Sequence, residues 1–189
     1  MMKTRITVSA ALLSAISFIV RQFSFPFAIA PFLKMEFSEV PVLLAGMLLG
    51  PGAGLCVQAV KDILLVLIRG SALWGVFSDF VSGGTFILFF CWIGRRNHKN
   101  NLWGLIAASV VSTILRCAIS IPLNYLVLSM QFGHDLSYIT SILAPAILPF
   151  NAFKSLCSVV VFIPIYELIK KRCPTIYRSI YSEKGSSND

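Results

Sequence analysis

Charge is scarce in this chain. Of its 189 residues only 8 are acidic and 2 are histidine, and charged residues together make up 13%. Soluble domains carry about 25% charged residues, so a surface that faces water all round is excluded. Both histidines, His98 and His134, fall in polar stretches, and a metal centre has no ligand set to build on. The 5 cysteines, Cys56, Cys91, Cys117, Cys157 and Cys173, fall mostly in apolar runs without a C-x-x-C spacing and read as small hydrophobes. The sequence contains no G-x-x-x-x-G-K-[ST] phosphate loop, no H-E-x-x-H and no G-x-S-x-G. ATP hydrolysis by the phosphate-loop route is therefore ruled out, and the common hydrolase chemistries lack a motif.

What the chain has in abundance is apolar length. Hydrophobic residues make up 57% and the mean hydropathy is +0.81, the profile of a polytopic membrane protein. A spanning helix takes about 20 residues, so the chain holds about six with short connections and no soluble domain. Lys3 and Arg5 before the run Ile6 to Val20 mimic a secretory signal, with Ala28-Ile29-Ala30 as a cleavage site. Pro31 directly after that site, and further apolar segments downstream, favour a retained first helix.

The expected architecture is an all-α membrane protein, a six-transmembrane-helix bundle with a long lid-like loop between helices 1 and 2. Helices are expected at about Thr4–Val20 and Glu39–Leu49, then a third that continues to Ile68 after a glycine-rich break, and at Val76–Gly94, Leu102–Met130 and Phe150–Arg172. Pro26 and Pro31 rule out a simple helix from Arg21 to Ser38, while Phe23, Phe25, Phe27 and Phe32 make it too apolar for a solvated loop. Gly50-Pro51-Gly52-Ala53-Gly54 breaks the second helix from the third. Residues 1–172 form one membrane domain, and 173–189 form a polar cytoplasmic tail, expected to be flexible. No internal repeat is visible.

Orientation follows from the basic residues. Six passes collect Lys3, Arg5, Arg95, Arg96, Lys99, Lys170, Lys171, Arg172, Arg178 and Lys184 on one side, against Arg21, Lys34 and Arg69 on the other. The positive-inside rule then puts both termini in the cytoplasm. The formal net charge of +8 is thereby explained by the lipid bilayer, and no nucleic-acid partner is implied.

Lys61, Asp62, Asp79, Arg116, Asn124, Asn151 and Lys154 are stranded inside the apolar segments. An ionisable group at a helix centre costs about 3 kcal/mol on insertion scales, which makes such residues functional candidates. Asn151 and Lys154 are three apart and share a helix face. With Asn124 they offer two amides and an ammonium, a set suited to the alternating donors and acceptors of an imide-edged heterocycle. Bonding across the bundle is the plainer alternative. Lys61, Asp62, Asp79 and Arg116 read first as structural pairs, and Lys34, Glu36 and Glu39 as a solvated outer rim, with Lys34 able to help close a lid. Ala11-x-x-x-Ala15 leaves a shallow strip where another helix can approach.

Several segments carry a resemblance in combination. Phe32-Leu33-Lys34-Met35-Glu36-Phe37-Ser38-Glu39-Val40-Pro41, then Gly50-Pro51-Gly52-Ala53-Gly54 and Lys61-Asp62, resemble the riboflavin-specific S components of energy-coupling factor (ECF) transporters. Asn124-Tyr125 and Pro149-Phe150-Asn151-Ala152-Phe153-Lys154 are similar to that family's signatures on its fifth and sixth helices. Met35 stands where the family has an aromatic residue, and Asp62 where it commonly has an amide. The resemblance implies a six-helix subunit that captures one vitamin, riboflavin, on the outer side under a lid. It implies assembly with a transmembrane coupling subunit and two ATP-binding subunits of an ECF module. Asn124, Asn151, Lys154, Leu33 and Lys34 would contact riboflavin, and Ala11 and Ala15 the coupling subunit. Riboflavin would be cargo; no cofactor and no catalytic residue is implied. An S component or carrier for another small nutrient is the alternative, and a membrane enzyme or scaffold is the more distant one.

Overall fold

The computed structural model describes residues 2–27, 30–96, 102–132 and 143–172; the proposed tail from 173 lies outside them. Six α-helices stand among the described residues: α1 (Met2–Gln22), α2 (Glu39–Leu48), α3 (Pro51–Arg69), α4 (Leu73–Arg96), α5 (Leu102–Phe132) and α6 (Leu148–Arg172). A five-residue π-helical turn, Leu143–Ile147, leads into α6. It carries Pro145, and Pro149 falls in the first turn of α6, where a missing N–H is tolerated.

The segment after α1 departs from the all-α expectation. It forms an antiparallel hairpin, β1 (Phe25–Phe27) with β2 (Ala30–Met35), pairing Phe25 with Met35, Pro26 with Lys34 and Phe27 with Ala30. Pro26 has no N–H to give, which is acceptable in a two-stranded ribbon where every strand is an edge. The hairpin folds back on the bundle: the Phe27 ring meets Phe150 edge-on at 5.3 Å and Phe153 at 6.2 Å.

Helix α2 is the axis of the bundle, with Glu39 through Met47 all buried. Its neighbours are α1, α3, α4 and α6. The turn to α3 is made at Gly50, whose φ of 126° excludes other residues, with Pro51 starting the next helix. The hairpin α2–α3 closes tightly because Gly54 lies on Gly46: a Cβ at Gly54 would come within 2.9 Å of Gly46 Cα. Helix α2 also packs into a core with Phe86, Phe90 and Phe162. Phe90 meets Phe162 edge-on at 5.4 Å, and Phe162 stacks on Tyr166 at 5.3 Å.

Outward faces are apolar. Leu67, Trp103 and Val160 are 75%, 76% and 69% exposed, and similar side chains continue along α1, α3, α4, α5 and α6. A continuous apolar exterior over polar interior groups is the pattern of a bundle solvated by lipid. Among the described residues four helical stretches are long and apolar enough to cross a membrane: Pro51–Arg69, Leu73–Arg96, Leu102–Met130 and Pro145–Arg172. Helix α2, with 10 residues, reaches only about 15 Å at 1.5 Å per residue.

Candidate functional site

A cavity of about 320 Å³ opens between the hairpin and the ends of α3 to α6. Helical periodicity determines which side chains reach it. On α5, Arg116, Ser120 and Asn124 follow one another at four-residue spacing and line one wall. Phe150, Asn151 and Lys154 of α6 form a second wall, and Gly75, Ser78, Asp79 and Ser82 of α4 a third. Leu33 and Lys34 of the hairpin and Arg21 at the end of α1 also line it. Asn124, Asn151, Lys154, Leu33 and Lys34 are thus gathered around one space, although up to 121 positions separate them (33 to 154). Its apolar share includes Leu33, Leu65, Val76, Val127, Leu128 and Phe150.

Beneath the cavity lies a closed cluster of charge. Four acids (Glu36, Glu39, Asp62, Asp79) meet four bases (Arg21, Lys61, Arg116, Lys154). Lys154 Nζ stands 2.8 Å from Glu36 Oε1, 3.2 Å from Glu39 Oε1 and 2.9 Å from Asp79 Oδ1. Lys61 Nζ is 3.1 Å from Asp79 Oδ2 and 3.2 Å from Asp62 Oδ1. Arg21 pairs with Glu36 and lies 3.7 Å from Asp79. Arg116 Nη2 is 2.8 Å from Glu39 Oε1. Each buried ion costs several kcal/mol of lost hydration, which is recovered only when partners and hydrogen bonds are complete. Equal numbers of each sign, with Gln58 donating to Asp62 at 3.1 Å and Ser158 to Glu39 at 3.1 Å, offset that cost in part, while the buried Gln58 Oε1 has no hydrogen-bond partner among the described residues.

The carboxylates of Glu36, Glu39 and Asp79 offer oxygens within 4.8 Å of one another, a spacing that can hold a metal ion. Here the Lys154 ammonium occupies the centre of the trio. Its three N–H donors match three carboxylates, so the cation this cage needs is supplied by the chain itself.

The rim expectation for Glu36 and Glu39 is corrected: both are fully buried. Burial by itself would raise the Glu36 carboxyl, but Lys154 and Arg21 outweigh it and hold it well below the usual carboxylate range. Their partners come from α1, α5 and α6, so their place in the expected outer loop was misleading. Lys34 remains exposed. Asp62, Asp79, Lys61 and Arg116 form ion pairs as the sequence suggested, and Arg116 takes Glu39, an acid outside the two considered. Arg21 was missed as a cavity residue. For Glu36 and Glu39 the signal was arithmetic: Arg116 and Lys154 needed buried acids, and only 8 exist in the chain.

Ala11 and Ala15 are exposed on α1 along with Val8, Leu12, Ile16 and Ile19. The opposite face of that helix is anchored by Ser17, whose Oγ donates to Ser38 O at 2.7 Å.

Comparisons with known proteins agree with one another. The family model described as ECF transporter, substrate-specific component, matches residues 5–166. The riboflavin transporter RibU of Staphylococcus aureus (strain TCH60) is 35% identical over 176 residues, covering 88% of this chain and 91% of that protein. The riboflavin transporter FmnP of Bacillus subtilis (strain 168) is 31% identical over 179 residues, covering 89% and 94%. A solved structure of the S component of a bacterial ECF transporter matches with a TM-score of 0.80 at 31% identity, over 89% of this chain and 97% of that one.

Proposed function

The chain belongs to the substrate-specific components of ECF transporters, and on that premise we propose that it binds riboflavin outside the cell and delivers it to the cytoplasm. It is a multi-pass membrane transport subunit, not an enzyme. The observation that carries the riboflavin reading is the cavity wall, where Asn124, Asn151 and Lys154 converge beside apolar side chains and under an aromatic hairpin. Two similar proteins are riboflavin transporters. Riboflavin is neutral, flat and imide-edged. Apolar contact with Leu33 and Phe150 serves its ring system, and side-chain amides serve its edge. Lys34, exposed on the hairpin, joins Leu33 as a lid contact.

Lys154 takes part from the boundary between cavity and charge cluster. Of its three carboxylate partners only Asp79 also lines the cavity, so a ligand carbonyl competes there for one ammonium hydrogen while Lys61 and Arg21 retain Asp79. Energy comes from partners, as the chain has no phosphate loop. These are a transmembrane coupling subunit, received on the Ala11/Ala15 face of α1, and two ATP-binding subunits. The bundle makes six passes with both termini in the cytoplasm. The concentration of basic residues around Lys3, Arg95 and Lys170 supports that orientation. Residues 1–172 act as one substrate-binding domain and 173–189 as a flexible cytoplasmic tail.

The test is purification of the chain in detergent from cells grown with riboflavin. A yellow preparation with quenched flavin fluorescence is expected. A colourless one that takes up no added riboflavin would refute the reading and favour a different nutrient.

A further inference from the structure

Arg116 lines the cavity and is 1% exposed. Its terminal nitrogens grip Glu39 as a fork, Nη2 lying 2.8 Å from Oε1 and Nη1 donating to Oε2 at 3.0 Å. Nη1 also donates to Ser155 Oγ at 3.3 Å, and the guanidinium lies over Phe86, 5.6 Å from the ring centroid. A planar group held at two nitrogens and against a ring has its remaining donor direction set. That donor, Nε–H, goes to Asn151 Oδ1 at 3.1 Å.

A carboxamide can present either its oxygen or its nitrogen. Arg116 accepts nothing, so it holds Asn151 with the oxygen turned to α5. Asn151 Nδ2 donates one hydrogen to Ile147 O at 2.9 Å, and the second is the polar group it retains for the cavity. Asn124 is held differently: its Nδ2 donates to Ser120 O at 2.7 Å, leaving an oxygen and one N–H. Together the two amides offer donor, acceptor and donor, the complement of an imide edge.

We propose that Arg116 is a positioning residue for flavin recognition: by holding Asn151 Oδ1 it fixes that amide as a donor toward an acceptor atom of the ligand. Specificity for a carbonyl oxygen or ring nitrogen at that point then originates in a residue committed to Glu39. The inference rests on the riboflavin reading.

The experiment titrates the full chain in detergent, by calorimetry, with riboflavin, 2-thioriboflavin, 4-thioriboflavin and 5-deazariboflavin. Each analogue weakens or removes one acceptor. Wild type is expected to lose about tenfold or more in affinity for one analogue relative to riboflavin. Arg116→Lys keeps a positive charge beside Glu39 but cannot maintain both the fork and Asn151. It should bind riboflavin more weakly and bring that ratio to within about twofold of unity. Asn151→Asp preserves an oxygen for Arg116 and removes the donor, with the same collapse of the ratio. An equal loss for all four flavins is what a purely structural role produces and would overturn the proposal, as would a wild type that discriminates none of the analogues. If Arg116→Lys does not fold, wild-type riboflavin affinity in Asn151→Asp overturns the proposal on its own. A wild type that binds none of the flavins removes the riboflavin reading and this inference with it.

Discussion

Replacing Lys154 with methionine keeps an unbranched stem of similar length without the terminal ammonium and deletes one charge from the centre of the cluster. Three carboxylate oxygens within 2.8 to 3.2 Å lose a shared partner. None is left wholly unpaired: Glu36 retains Arg21, Glu39 retains Arg116, and Asp79 retains Lys61 and Arg21. Breaking a buried pair by removing one partner costs about 3–5 kcal/mol, and the surviving partners place this case at about 3 kcal/mol. The cluster then carries four acids against three bases. Adding Asp79→Asn restores the balance, so the double variant should be more stable than the sum of the single losses by about 1–2 kcal/mol. The assay is unfolding in mixed micelles against increasing SDS fraction, followed by circular dichroism, for wild type, both single variants and the double. A Lys154→Met variant within about 0.5 kcal/mol of wild type, or strictly additive losses, would refute the idea that these charges act as one unit.

Three further outcomes follow from the same geometry. Removing the ammonium leaves the Glu36–Glu39–Asp79 trio without its central cation, so Ca²⁺ should raise the unfolding midpoint of Lys154→Met and leave wild type unchanged; equal responses would contradict the cage. Gly54→Ala forces a Cβ to within 2.9 Å of Gly46 Cα and should cost about 1–3 kcal/mol, whereas Gly52→Ala, with nothing within 4 Å, should be neutral in the same unfolding assay. Ala11→Leu with Ala15→Leu should leave flavin affinity unchanged and abolish co-purification with the coupling subunit; intact complexes would remove α1 as the docking face.

The helices were legible because lipid demands long apolar runs, and each expected span falls within a few residues of an observed helix. Asn151 and Lys154 were legible as a pair because three-residue spacing places both on one helix face. Their meeting with Asn124 was legible only as shared chemistry, since no local pattern encodes which faces of α5 and α6 converge. The hairpin was half legible: Pro26 and Pro31 excluded a helix, but the seat of Phe27 against Phe150 and Phe153 joins residues far apart in the sequence. Glu36 and Glu39 were illegible from their surroundings. Both belong to the expected outer loop, and only the positions of Arg116 and Lys154 in three dimensions make them interior. The charge balance of the apolar segments was the available clue, for Lys61, Arg116 and Lys154 outnumber Asp62 and Asp79 there.

The most direct test of the account is a riboflavin titration of the purified chain beside the Asn124→Ala/Asn151→Ala double variant, read by quenching of flavin fluorescence. The account predicts saturable binding of one flavin per wild-type chain and an affinity weakened about a hundredfold or more when both amides are removed. Equal affinity in the two proteins would contradict it.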